Sequence, residues 1–492
     1  MTGLRAPQHH VMTNTMTKTP MPSQKPIPPK ADAAIREIVG EKGIIAAADA
    51  APYLEEWRGK WRGQTNLIVA PATTKDVADI VKICAEHRVA ITPQGGNTGL
   101  VGGQMPTEGE LLLSLKRLNR IRDISPLDGA MIVEAGVTLA AAQNAALDVD
   151  RFFPLSIGSE GTCQIGGVIS TNAGGVNVLR YGNMRDLVLG IEAVTPSGEI
   201  WQGLKRLRKD NTGYDLKQVF IGAEGTLGIV TAASVKLFPL AKETSTVFAA
   251  LPDPGAAVRL LSRAQTASGN QTTSFELIGR YGLDLVLKNI SGARDPLAAT
   301  APWYALIEFS AGTPETLPTM VETFLAEALA AGEITDATIA ANAKQAQALW
   351  HIRHAMSEAM KPEGLPQAKH DVSTPLSRVP EFLDKADAAI EKIAPGARIV
   401  AFGHMGDGNI HYDVLPPDPA RGAGFADRIH AIEQAVYDVI DSCEGSISAE
   451  HGIGLARRDD LIARETGPAL NMMRAMKSAL DPLGIMNPGK MI

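Results

Sequence analysis

Cysteine is scarce: 492 residues contain only Cys84, Cys163 and Cys443, far apart in the chain. An odd number without a CxxC pair excludes a disulfide framework and a cysteine-type metal site. A reducing compartment, the cytoplasm, is the expected location. No uninterrupted apolar run reaches about 18 residues, so no transmembrane helix is expected. Basic excess is missing as well. The 47 Lys and Arg stand against 54 Asp and Glu, a net charge of −7, which is the wrong sign for a nucleic-acid partner. Acids are absent from residues 1–30, which are rich in Thr, Pro, Met and basic residues and bury too little to fold. Arg5 is their only arginine and no amphipathic stretch is evident, so a targeting peptide is not expected there. Neither GxxxxGK[ST] nor a clean GxGxxG occurs, which argues against an ATPase and a nicotinamide Rossmann site.

What remains is a globular composition, 45% hydrophobic and 21% charged, in a chain long enough for two or three domains. From residue 66 the pattern runs strand (NLIVAP), helix (TTKDVADIVKICAEH, with Thr73 or Thr74 as N-cap) and strand (VAITPQ). This βαβ unit delivers the chain into PQGGNTGLVGG, residues 93–103, whose five glycines let backbone N–H groups turn toward an anion. A surface Ω-loop is the plainer reading of that stretch. Residues 154–175 and 222–231 are glycine-rich too, which suggests several loops converging on one extended ligand such as a dinucleotide, or else repeated turns in a β scaffold. After Pro239, alternating runs interleave with Ala-rich helical stretches, suggesting an antiparallel sheet with helices on one face. Helical patterns dominate from about residue 425.

The stretch HMGDGNIH, residues 404–411, carries its own register argument. If Asp407-Gly408 forms a two-residue type I′ turn, His404 lies directly opposite His411, and Phe402 opposite Asp413. Opposed side chains share a face with Cβ atoms roughly 4.5–5.5 Å apart, close enough for two imidazoles to hold one metal ion. Glu450 in GSISAEHGIG would complete a His, His, Glu set with one open coordination position, the mark of a catalytic site. His451 is then a neighbouring base, and Asp413 either a carboxylate behind the ligands or a direct neighbour of the metal. Arg353 and Lys369 are candidate cations for an acidic substrate, although a helical arginine is commonly just a solvated charge. His351, His354 and His370 are expected at the surface or behind the site.

Taken in order, PQGGNTGLVGG, IGGVISTNAGG, GAEGTLGIVT, KHDVS, FGHMGDGNIHYDV, GSISAEHGIG and a terminal NPGK resemble the FAD-linked 2-hydroxy-acid dehydrogenases of the vanillyl-alcohol oxidase/p-cresol methylhydroxylase superfamily, most closely those acting on D-2-hydroxyglutarate. The resemblance spans residues 65–490. It implies an α+β chain with a two-subdomain FAD-binding domain of the p-cresol methylhydroxylase type (31–241), an antiparallel-sheet substrate or cap domain (242–424) and a C-terminal helical segment (425–492). By the same implication, FAD contacts Pro93, Gly95, Gly96, Asn97, Thr98 and Gly99. It also contacts Ser156, Gly158, Ser159, Gly161, Thr162, Gly166, Gly167, Thr171, Ala173 and Gly174, then Glu224, Gly228 and Ile229, and finally Asn487. No histidine lies in 93–103, so the FAD is expected to be non-covalent. A divalent metal, zinc or alternatively manganese, falls on His404, His411 and Glu450, and the catalytic histidine on His451. The substrate, a small anionic 2-hydroxy acid, falls on Arg353, Ser357, Lys369, Asn409 and Asp413, where Asp413 replaces an expected Asn. Electrons pass to an electron-transfer flavoprotein or a quinone, and a homodimer is expected. The rival readings are a D-lactate or glycolate dehydrogenase and a flavin-free metal-dependent hydrolase.

Overall fold

The computed structural model describes residues 26–364, 366–417 and 424–492. Of the tail expected to lack structure, residues 1–25 lie outside the described residues, and a helix, Pro29–Val39, begins at the tail's end.

The βαβ reading holds locally. The Thr73 hydroxyl accepts the Asp76 N–H while the Asp76 carboxylate accepts that of Thr73, both at 3.1 Å, a reciprocal cap that stabilises the helix Thr74–His87 by about 1 kcal/mol. Strands β1 (Ile68–Val69) and β2 (Ile91–Gln94) flank β3 (Leu111–Ser114) in a parallel sheet. A second sheet is antiparallel. It uses β4 (Ile121–Ser125), β5 (Ala130–Glu134), β7 (Val188–Val194), β8 (Ile200–Gly203) and β9 (Ile229–Lys236) in the order β4-β5-β9-β7-β8. A two-stranded ribbon of β6 (Arg151–Phe152) and β10 (Phe238–Pro239) lies alongside. Each sheet has its own apolar core. Ile485 and Met486, from the far end of the chain, join the core of the three-stranded sheet.

From Glu243 the chain builds a seven-stranded antiparallel sheet. Its strands are β11 (Glu243–Leu251), β12 (Thr272–Gly279), β13 (Trp303–Ala311), β14 (Asp336–Ile339), β15 (Ala368–Ser373), β16 (Arg398–His404) and β17 (Asn409–Leu415), ordered β14-β11-β13-β12-β16-β17-β15. Successive strand residues point to opposite faces, and here both faces carry helices, not one as expected. Leu277 packs with Leu260, Phe324, Phe382 and Val436, while Ile278 packs with Leu283, Ile352 and Met356. Beside those helices, the second face carries Glu276, His404, His411 and Asp371 in place of apolar residues. The helix Ile429–Ser442 packs into the core of this sheet. Beyond this helix, Glu450 reaches the second glycine region by accepting the Gly175 N–H.

Candidate active site

The β16–β17 hairpin differs from its sequence-level register. Phe402, not His404, stands opposite His411, and Val400, not Phe402, opposite Asp413. A short 3-10 turn, Met405–Asp407, followed by Gly408 at φ 78°, replaces the two-residue turn. Asp407 lacks the positive φ that a type I′ turn demands. Its carboxylate instead accepts the Asn409 N–H at 3.1 Å, which favours the longer loop. The slip is two residues, so parity is kept and the two histidines stay on one face as diagonal neighbours, ring centroids 5.7 Å apart.

Register then assembles the rest of the face. Glu276 on β12 pairs with His404, while Asp371 and Lys369 on β15 pair with His411 and Asp413. Glu450 and His451 reach the face from the loop after Ile429–Ser442. The Glu450 Oε1 lies 3.6 Å from His404 Nε2 and accepts the Gly175 N–H at 2.6 Å. The second glycine region thereby touches the histidine pair. Among the described residues, two donor groups have ligand atoms within 4.8 Å of one another: His404, His411 and Glu450, and Asp371, His411 and His451.

Glu276 is fully buried. Its Oε1 is 2.7 Å from His404 Nδ1 and its Oε2 accepts the Arg353 Nε–H at 2.6 Å. Arg353 is thus no solvated charge. It is buried over the Phe402 ring, 4.8 Å from the centroid, and its Nη2 has no hydrogen-bond partner among the described residues. Burial alone lowers an imidazole's pKa, but at His404 it is outweighed by Glu276 and Glu450, and the value rises to about 9. Burial lowers His451 to about 4, with Asp371 opposing it, so this imidazole is neutral near pH 7. For Asp371 burial acts upward, yet His451, His411 and Arg457 hold it well below the ordinary carboxylate range. Burial raises Glu450 to about 7 against the pull of His404. It also raises Asp413 to about 6 despite Lys369, whose Nζ is 3.7 Å away.

Among the other expected substrate contacts, Asn409 is buried and donates to Asp371 Oδ1 and Val372 O, both at 2.9 Å. Ser357 and Lys369 are exposed. His370 is buried on the opposite face, with Nδ1 2.6 Å from Tyr412 O, so it is neither at the surface nor behind the histidine pair. Glu276 and Asp371 went unremarked in the sequence. The available signal was one acid inside the otherwise uncharged strand TTSFELIG, and an Asp in phase with Lys369 in KHDVS.

Residues 65–203 match a family described as FAD binding domain, and residues 240–491 match one described as FAD linked oxidases, C-terminal domain. A mitochondrial D-2-hydroxyglutarate dehydrogenase of Arabidopsis thaliana is 35% identical over 93% of this chain and 80% of its own length. The chain belongs to the D-2-hydroxyglutarate dehydrogenase family. It is an FAD-dependent dehydrogenase. A D-2-hydroxyglutarate–pyruvate transhydrogenase of Saccharomyces cerevisiae is 36% identical over 94% of both chains. The crystal structure of p-cresol methylhydroxylase shares the fold, with TM-score 0.73 at 17% identity over 94% of this chain and 96% of that one.

The cytoplasmic expectation is corrected by the Arabidopsis relative, which is a mitochondrial enzyme by name. The physical reason is that Cys84, Cys163 and Cys443 are free and buried, and such thiols speak to redox conditions and shielding, not to one compartment.

The three glycine-rich loops meet one another, and Asn487 reaches them. A Cβ built on Gly96 would lie 2.0 Å from Thr162 O, and one on Gly225 2.5 Å from Pro93, so the three loops touch at positions where a larger residue has no room. Asn487 donates to Gly103 O and Glu224 O, both at 2.8 Å. Gly158, Gly161 and Gly167 face open space, and the buried oxygens Gln164 Oε1 and Asn487 Oδ1 lack partners among the described residues. Open glycine backbone beside unpaired polar atoms fits a dinucleotide. Some side chains are already committed. Asn97 donates to Pro52 O and Glu55 O, Glu224 accepts from Ile453 and Gly454 N–H, and Ile229 is in the core.

Proposed function

We propose that this enzyme oxidises a D-2-hydroxy acid of the 2-hydroxyglutarate type to the 2-oxo acid, with non-covalent FAD and a divalent metal, zinc or manganese. The observation that carries the reading is Arg353, a buried cation on the helix Ala343–His354 whose Nη2 has no partner among the described residues and whose Nε–H is held by Glu276. It lies on the sheet face that also holds His404 and His411 and meets Glu450 and His451. His404, His411 and Glu450 would hold the metal. Their chemistry, two imidazoles and a carboxylate with a position left open, suits a catalytic ion. The alternative donor group is less suited, because both Asp371 oxygens already accept hydrogen bonds.

When bound, FAD accepts a hydride equivalent and the metal lowers the substrate hydroxyl pKa as a Lewis acid. Arg353 binds the substrate carboxylate through Nη2, its Nε–H fixed on Glu276 so that the fork points one way. His451 takes the hydroxyl proton, a role that a neutral imidazole fits. Lys369, paired with Asp413, is a further cation of the face. Preference between a one-carboxylate and a two-carboxylate acid is read there. Asn409 acts on Asp371, and Ser357 follows from resemblance alone, as do an electron-transfer flavoprotein or quinone acceptor and a homodimer.

The test is anaerobic reduction of the bound flavin by D-2-hydroxyglutarate, D-lactate, glycolate and the L-enantiomers, before and after chelation. D-2-hydroxyglutarate reduces the flavin fastest, and chelation abolishes it until zinc or manganese is restored. Absence of reduction by any D-acid refutes the reaction. Reduction indifferent to chelation refutes the metal.

A further inference from the structure

Asp371 is 1% exposed and lies on β15 directly opposite His411. Three donors hold its carboxylate in place independently of either ring. The N–H groups of Glu450 and His451 reach Oδ2, and Asn409 Nδ2 reaches Oδ1, each at 2.9 Å. The two oxygens then face one histidine each: Oδ2 is 3.5 Å from His451 Nδ1, and Oδ1 is 3.8 Å from His411 Nδ1. Those rings are nearly parallel, 18° apart with centroids 6.0 Å apart. One carboxylate thus spans the Nδ1 edges of two stacked imidazoles.

We infer that Asp371 is a positioning residue that sets the orientation and tautomer of His451, holding its proton on Nδ1 and leaving Nε2 bare to receive the substrate hydroxyl proton, and that it does the same for His411. The inference rests on the hydroxy-acid reading for the identity of that proton. The separations are longer than formed hydrogen bonds, as catalytic pairs commonly are before substrate closes the site. An imidazole whose Nδ1–H faces a carboxylate presents a free lone pair at Nε2, which is what a base and a metal ligand both require. Glu276 stands in the same relation to His404, 2.7 Å from Nδ1. Each of the three histidines of the face thus has a carboxylate near its Nδ1. Ligation of a metal by Asp371 would compete with its three bound donors and would remove His451 from proton transfer.

The tautomer is read directly in holoenzyme labelled with ¹⁵N-histidine, using long-range ¹H–¹⁵N correlation, with His451→Gln identifying the His451 signals. The expected pattern is a protonated Nδ1 and a bare Nε2, and the opposite tautomer overturns the inference. Asp371→Asn, measured at saturating metal and flavin, is expected to slow flavin reduction by about 10²-fold or more with KM within about threefold. In a His451→Ala background the same change is expected to cost under about threefold, because the two act as a unit. Equal losses in both backgrounds overturn the inference. So does a loss of bound metal matching that of His411→Ala, which would make Asp371 a ligand. Should Asp371→Asn fail to fold, the tautomer measurement still decides. Failure of every D-2-hydroxy acid to reduce wild-type flavin would instead refute the reaction, while leaving the ring protonation measurable.

Discussion

Replacing Glu276 by Gln tests the centre of the site, because it keeps the shape and removes the charge. Glu276 is fully buried, and each of its oxygens serves a different partner: Oε2 is 2.6 Å from Arg353 Nε and Oε1 is 2.7 Å from His404 Nδ1. Removing one member of a buried ion pair costs about 3–5 kcal/mol, since the other charge is left uncompensated. The amide oxygen still accepts one hydrogen bond, which returns about 1 kcal/mol. A net loss of about 2–4 kcal/mol in the unfolding of the seven-stranded domain follows. The metal feels the change too. Without the carboxylate behind it, His404 loses the partner that orients its ring, and affinity falls roughly 10–100-fold. Urea unfolding of the flavin-loaded enzyme measures the first effect and metal titration the second. A stability change under about 0.5 kcal/mol with unaltered metal affinity would refute the reasoning.

Three further outcomes are expected. Arg353→Lys keeps the charge but loses the planar fork, so KM for the hydroxy acid rises roughly 10–100-fold, and an unchanged KM in steady-state kinetics would remove Arg353 from substrate binding. Gly96→Ala drives a methyl group toward Thr162 O, 2.0 Å from the ideal Cβ, so the first two glycine loops must part and flavin bound per polypeptide falls. Full flavin occupancy would show that the loops yield. At Glu363, burial acts upward but Lys288, Asn289 and Arg398 bring the pKa down from 4.5 to about 2. Its stabilising contribution is therefore complete above about pH 4.5 and is lost as pH falls through about 2. Glu363→Gln lowers stability at neutral pH and flattens the acid limb of a stability-against-pH curve, and an acid limb identical to wild type would show that the pair contributes nothing.

Much of the fold was legible because its signals are local. The helix after Thr73 announces itself by a cap and a 3.6-residue period, and several, though not all, strands of the seven-stranded sheet by β-branched and aromatic runs. Helices on both faces of that sheet were not legible. Which residue parity a helix covers depends on topology, and strands buried on both sides, such as the fully buried Thr272–Gly279, lose the alternation that would show it. Arg353 illustrates the same limit in the site. Nothing local separates it from a solvated helical charge. Its partner Glu276 is 77 residues away in sequence, and the ring it lies over, Phe402, is distant too.

The hairpin shows why a wrong register still found the right pair. Side chains alternate with period two, so any slip by an even number of residues leaves His404 and His411 on a common face, whereas a slip of one would send one of them into the opposite core beside Met405 and Ile410. The turn residues Asp407 and Gly408 set the loop length, but only the parity of that length matters for bringing the imidazoles together. What the register error did change is the neighbour across the strand. Phe402 opposite His411 puts an aromatic ring under Arg353. Asp413 is placed against Lys369 on the neighbouring strand. Asp413, which stands where the resemblance expects an Asn, is therefore half of a charge pair, and Glu276 and Asp371, the carboxylates beside the histidines, come from the strands on either side of the hairpin.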